Sequence, residues 1–244
     1  MPLPPPSLAG RPGPAACAAP IDQDGTLEQA RLLRSRLAGQ LELRDRFPRD
    51  LATIGGFRTD FSDDGAVVHA TAILLDAGTL EVLASESVSL PTPVSDLPEL
   101  LPFRALPALR AALAALPRPP DLAFVDGHGI AHPQGLGIAA HFGVASGLPC
   151  IGVARAILTG SGPEPHETRG AYTALRNRER RQLGWLLRSR PGCLPLVVSP
   201  GHRVALASAA DLVMRFTRDH RLPEPTRLAE LLASRLDAAN STEI

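Results

Sequence analysis

The sequence predicts an α/β protein: a mixed sheet, an antiparallel meander followed by parallel strands, with helices on both faces. Three observations carry this. Segments 52–61, 67–75 and 81–89 read as strands, separated by turn signals at Asp63, Asp64 and Gly65 and at 76–78, which is the pattern of a meander. From residue 122 onward, short apolar runs at 122–125, 150–153, 184–188 and 194–199 alternate with helical patterns at 136–146, 208–218 and 226–236. At 244 residues and 44% hydrophobic content, the chain can bury one sizeable core.

Taken in order, residues 1–22 are rich in Pro, Ala and Gly without periodicity and are expected to be disordered, because such a composition cannot bury enough apolar surface to offset ordering entropy. A helix is predicted over 27–44, with Asp24 near its start and Leu32, Leu33, Leu37 and Leu41 on one face. After the meander, Pro91, Pro93, Pro98 and Pro102 mark a loop, and 106–116 reads as a helix ended by Pro117. Segment 159–170 is a Gly/Pro loop, and Pro225 introduces the last helix. One domain is expected over 23–238, with a flexible tail at 239–244.

Composition narrows the function classes. No apolar run is long enough to span a bilayer and no signal peptide is evident, so a cytoplasmic protein without membrane attachment is expected. Cys17, Cys150 and Cys193 lack metal-like spacing and read as reduced structural thiols. All 25 basic residues are arginine, and the formal net charge is zero, so no global positive field draws in nucleic acid. Binding of that kind needs a local cluster, for which the run 176–190, RNRERRQLGWLLRSR, is the best candidate; taken alone it also reads as a solvated helix or hairpin face.

The most informative stretch is 121–155, DLAFVDGHGIAHPQGLGIAAHFGVASGLPCIGVAR. An apolar run is cut off by Asp126, then by a loop of glycine and histidine, then by a helix of small residues. A buried strand that delivers a carboxylate to its C-terminal end, where open α/β sheets place their ligands, reads this way. Gly127 and Gly129 allow the backbone to approach a ligand closely. His128, His132, His141 and His202, taken singly, are more often structural than functional.

DGHGIAHPQGLGIAAHFGV followed by PCIGVAR resembles the central signature of endonuclease V, a ribonuclease H-like nuclease family directed at inosine in nucleic acid. Blocks LPFRALPAL, VSPGHRV and RLPEPTRLA match in order, and the resemblance runs over about 31–235. It implies a DNA- or RNA-repair endonuclease that cleaves a phosphodiester 3′ to inosine, acts as a monomer, and uses Mg²⁺ held by three carboxylates to activate water. Of those carboxylates this chain keeps Asp126. Arg58 stands where the family has its first-strand aspartate, and Ala105 where it has a glutamate. A guanidinium about 4 Å from a divalent ion repels it by roughly 4 kcal/mol per unit of ionic charge, so Mg²⁺ at Asp126 is expected to bind weakly or not at all.

Asp60 shares a strand face with Arg58 and is a candidate displaced ligand, although it lies about 7 Å further along. The family's wedge tyrosine aligns near Asp96, its lysine is Arg155, and the acid after its GHR block is Ala207. The resemblance places Arg155 and His202 beside Asp126 as catalytic groups, and Leu101, Gly127, His132 and Gly137 around the flipped base. Since Arg58 can take the cation's place, an Arg58–Asp126 ion pair is expected; the alternative is an Arg58 turned outward, with Asp126 satisfied by backbone N–H groups of the loop from Gly127 to Gly129. The expected activity is therefore nucleic-acid or nucleobase binding with weak or lost Mg²⁺-dependent cleavage. An active deoxyinosine 3′ endonuclease with a displaced metal, and a repurposed metal-free enzyme, are the alternatives.

Overall fold

The structure is a computed structural model that describes residues 27–92 and 100–242. The expectations for the Pro-rich N-terminus and for Asp96 lie outside the described residues. Helix α1 (Leu27–Ala38) precedes the meander β1 (Thr53–Phe61), β2 (Val67–Asp76) and β3 (Val82–Pro91). Then come α2 (Leu101–Ala115), β4 (Leu122–Asp126), α3 (Ile138–Ser146) and β5 (Cys150–Ala154). A hairpin of β6 (Tyr172–Arg176) and β7 (Gln182–Leu187), strand β8 (Leu196–His202), and helices α4 (Leu206–Arg215) and α5 (Glu224–Thr242) complete the order.

All the strands join one sheet in the order β3-β2-β1-β4-β5-β8-β7-β6. Among the described residues, parallel pairing is confined to β1 with β4 and β4 with β5. The sequence predicts parallel strands to the end, but β8 runs antiparallel to β5 and β7 antiparallel to β8. Parallel strands need a helical crossover. Between β5 and β8 the chain instead forms the β6–β7 hairpin, whose first strand the sequence reading missed. Helix α1 stops short of the predicted end, at Gly39, where the Gly39 amide closes the last turn on the Ser35 carbonyl. Helix α2 starts earlier than predicted, with Pro102 in its first turn, where a missing N–H costs nothing. Helix α5 continues past the predicted end, through Thr242.

Period-2 alternation sorts the sheet into two cores. Phe57, Ala123 and Val125 pack with Ala105, Ala108 and Leu109 of α2 and Phe142 of α3. Ile54, Leu122, Phe124 and Val153 pack on the other face with Leu212 of α4, Phe216 just after it and Ala229 of α5. By the same alternation, Arg58, Asp60 and Asp126 point toward the α5 face. Helix α5 can lie close there because β1 carries Gly56, where a Cβ would sit 1.9 Å from the Pro225 carbonyl oxygen. Cys150 is buried and Cys193 half-buried, and both are free thiols.

Candidate functional site

Strand β4 ends at Asp126, and β1 lies beside it in parallel register, Phe57 opposite Val125, so Arg58 emerges next to the carboxylate. The Arg58 guanidinium donates through Nη1 to Asp126 Oδ2 at 2.5 Å. It also grips Asp60 with two bonds, Nε to Oδ2 at 2.7 Å and Nη2 to Oδ1 at 2.6 Å. The bidentate partner is therefore Asp60, and Asp126 receives a single strong bond. Because Arg58 fills both Asp60 oxygens, Asp60 is a partner of the guanidinium in this structure and not a free acceptor for a displaced ion.

A residue the sequence reading did not single out completes the cluster. Glu230 of α5 lies 3.8 Å from Arg58 Nη1 and accepts from Arg155 Nη2 at 2.5 Å, while Arg155 Nη1 reaches within 3.7 Å of Asp126. Two guanidinium groups thus hold three carboxylates in one network. Its signal in the sequence was a lone acid inside the apolar run LAELLA, on a helix introduced by Pro225. The Arg58 and Asp126 side chains are 21% and 18% exposed, enough burial for their charges to matter.

The electrostatics follow from this packing. Burial raises the Asp126 pKa, and the charges of Arg58 and Arg155 only partly counter it, with Glu230 adding to the rise. Burial works against the charge on Arg58, yet the hydrogen bond to Asp60 and the charges of Asp60, Asp126 and Glu230 outweigh it and raise its pKa. Arg58 is therefore the bound cation of this site. Asp60, Asp126 and Glu230 converge on its guanidinium. Among the described residues, no three acidic, histidine or cysteine side chains are arranged to hold an ion. Ala105 is fully buried in the α2 core.

His202 requires a correction. It closes β8 opposite Cys150, the first residue of β5, whereas Asp126 pairs with Val153 toward that strand's other end. It is 4% exposed, its Nδ1 accepts the Glu42 amide at 3.3 Å, and burial lowers its pKa to about 4, so it is a neutral structural ring away from Asp126. His141 is likewise buried, edge-on to Phe103, with its pKa lowered by burial to about 3. His128 reaches the Ala156 carbonyl at 3.0 Å, and burial lowers its pKa.

The loop after Asp126 is held by its backbone. Gly127 adopts φ +144, open to glycine, and donates to the Val153 carbonyl. Gly129 donates to Ser199 Oγ at 2.8 Å, Ile130 to the Pro200 carbonyl at 2.9 Å, and Gly137 back to the Gly129 carbonyl at 2.8 Å. His132 accepts the Gln134 amide at Nδ1, and burial lowers its pKa to about 4, so the neutral ring carries its proton on Nε2. It lines a cleft of about 980 Å³ together with Ile130, Gln134 and the tip of the β6–β7 hairpin. Leu101 opens α2 and is 41% exposed.

Comparison with known proteins agrees with this architecture. Residues 35–231 match the endonuclease V family. The chain is 56% identical over 214 residues to Endonuclease V of Azotobacter vinelandii, covering 88% of this chain and 96% of that one. The crystal structure of the Streptomyces avermitilis Endonuclease V superposes with a TM-score of 0.83 at 38% identity, covering 88% of this chain and 95% of the other. The Ciona intestinalis Endonuclease V, solved with a 23mer DNA containing an inosine, shares the fold with a TM-score of 0.73 at 20% identity, covering 86% of this chain and 97% of its own. The mixed sheet with helices on both faces is the ribonuclease H-like fold of these structures, and the chain belongs to the endonuclease V family.

Proposed function

We propose that this chain is a nucleic-acid-binding member of its family in which Mg²⁺-dependent cleavage is weak or lost and recognition of an inosine-type base in DNA or RNA is kept. One observation carries the loss: Arg58 donates to Asp60 and Asp126 at the position where the resemblance calls for a metal-holding aspartate. A phosphodiester is cleaved in this family's manner by a metal-activated water. Here the retained carboxylate is already neutralised by a fixed organic cation, which can neither polarise nor deliver a water in that way.

Retained recognition is supported by the loop over 127–137. Its backbone is fastened to β8 and to the start of α3 by amide hydrogen bonds that do not depend on the altered side chains. A flipped base is read largely by hydrogen bonds to its edge and by apolar packing, and His132, neutral with Nε2–H free to donate, suits that task. The inosine-containing DNA bound to the Ciona protein is the ligand chemistry this reading extends to the present chain.

The test is a gel assay on end-labelled inosine-containing DNA and RNA strands with Mg²⁺ or Mn²⁺, run beside Asp126→Ala and paired with a binding titration. The expected result is binding without metal-dependent cleavage. Cleavage 3′ to inosine that requires both the metal and Asp126 would overturn the proposal and favour an active enzyme with a displaced metal site.

A further inference from the structure

The arginine-rich run 176–190 is divided by the fold into two parts with different chemistry. Arg188 is 2% exposed and belongs to the interior, pairing with Glu164 at 2.8 Å and Glu167 at 3.0 Å. Arg176, Arg178, Arg180 and Arg181 instead surround the hairpin tip, all exposed, and none forms an ion pair among the described residues. Glu179 is the only acid among them. Positive charge is therefore concentrated on the tip of a protein whose formal net charge is zero.

The tip is a fixed platform. The Asn177 amide donates to the Arg181 carbonyl at 3.0 Å, the Arg181 amide to Asn177 Oδ1 at 2.8 Å, and the Arg180 amide to the Asn177 carbonyl at 3.0 Å. Arg180 takes a left-handed φ of 64 to close the turn. Beside the tip, Ser161 and Arg176 exchange both backbone hydrogen bonds, at 2.8 and 2.9 Å, which ties the preceding loop to the turn end of β6.

Arg176, Arg178 and Arg181 line the same cleft as His132 and Gln134 of the loop that follows Asp126. One wall of this cleft thus belongs to the base-recognition loop and the other to the hairpin tip, where Arg176, Arg178 and Arg181 outnumber the single acid, Glu179. Leu158, 52% exposed, adds an apolar surface to the same cleft. Guanidinium forks pair with phosphate oxygens, and bases or sugars rest on apolar side chains.

We propose that the β6–β7 hairpin tip is a phosphate clamp: Arg178 and Arg181 bind the phosphodiester backbone of a single nucleic-acid strand that leaves the 127–137 loop along the cleft, past Leu158. The proposal rests on the reading that the chain binds nucleic acid and adds where and how the backbone is held. Phosphate contacts carry no sequence information, so the clamp acts alike on strands with and without inosine.

Fluorescence anisotropy with short labelled single strands tests it, in DNA and RNA arms, each with and without inosine, over a salt series. The proteins compared are the full chain, Arg178→Ala/Arg181→Ala, Arg178→Glu/Arg181→Glu, and Arg118→Ala as a control just before β4, at the end of that strand away from Asp126. The double alanine variant is expected to lose affinity by on the order of tenfold per arginine at moderate salt, and its log–log salt slope should fall by about 1.4, since each single-strand phosphate contact contributes about 0.7. The loss should be equal with and without inosine, larger for the glutamate pair, and absent in Arg118→Ala. Loss in one arm alone supports the clamp and identifies the strand it serves. Thermal melts run alongside, and an affinity loss that appears only with a matching loss of Tm overturns the clamp. If the full chain binds and the double alanine variant keeps its affinity and slope, the clamp is wrong and the recognition reading stands. If the full chain binds no strand, both fall.

Discussion

Removing the guanidinium of Arg58 should cost the fold more than removing either acid it holds. Arg58 faces Asp126 at 2.5 Å, Asp60 at 2.6 Å and Glu230 at 3.8 Å. Opposite unit charges about 4 Å apart attract by roughly 4 kcal/mol at an effective dielectric near 20, and like charges repel equally. Arg58→Ala leaves Arg155 as the only cation among three carboxylates. Breaking a buried pair from one side costs about 3–5 kcal/mol. With the side chains about a fifth exposed, a loss of about 3 kcal/mol is expected.

Asp126→Asn leaves the guanidinium bound to Asp60 and keeps an amide oxygen to accept from it, so it should cost only about 1 kcal/mol, in the range of one ordinary hydrogen bond. The double variant should therefore recover much of the Arg58→Ala loss, ending near about 1.5 kcal/mol, which corresponds to a coupling of about 2.5 kcal/mol. The pH dependence adds a second check. Burial already raises the Asp126 pKa, so its charge disfavours the fold as pH rises through that value, and protonation relieves it as pH falls. Without Arg58 the rise is larger, so the deficit of Arg58→Ala should shrink between neutral and acidic pH. Urea denaturation of the four proteins at both pH values measures these quantities. Costs that add within about 0.5 kcal/mol would refute the idea that arginine substitutes for the metal.

Two other outcomes are expected from the same site and from the histidine set apart from it. Millimolar Mg²⁺ or Mn²⁺ should leave the Tm of the protein unchanged, whereas Arg58→Asp, which removes the cation and adds an acid beside Asp126 and Glu230, should lower the Tm without metal and recover with it by about 1.4 kcal/mol at tenfold excess over Kd; a metal-dependent rise in the unmodified protein would contradict the geometry. His202, whose pKa burial lowers from its ordinary value to about 4, should contribute stability that is complete above about 6.5 and is lost as pH falls toward 4, by about 3 kcal/mol in the limit. His202→Gln should flatten that part of the stability–pH curve, and an unchanged slope would show that the ring is more solvated than its packing implies.

Much of the fold follows from local rules. The meander, the strand over 122–126 and the small-residue helix after it are readable because alternation, turn residues and apolar runs are properties of neighbouring positions. Arg58 and Asp126 could be paired from sequence for the same reason. Period-2 alternation gives each a face, and the family resemblance places their strands side by side. Glu230 was invisible to such reasoning, because its place depends on how closely α5 docks on β1, which is decided by the contact of Gly56 with the Pro225 carbonyl. The preference of Arg58 for a bidentate grip on Asp60 also lay beyond the pattern, since alternation gives a face and a rise but not the bend of a long side chain.

The same limit explains the other differences. His202 sits in a matching motif, yet the antiparallel run of β8 carries it to the far end of β5, and strand direction is fixed by the connection between strands rather than by their composition. The arginine run was one feature in the sequence; the turn at Asn177 and the burial of Arg188 separate it into an exposed cluster and a buried guanidinium paired with Glu164. The sequence by itself determined most of the strands and helices and which residues, Arg58 and Ala105, stand where the family resemblance calls for carboxylates. Only the tertiary structure decided which of those charges meet, because Coulomb and hydrogen-bond energies depend on distances that long-range packing sets.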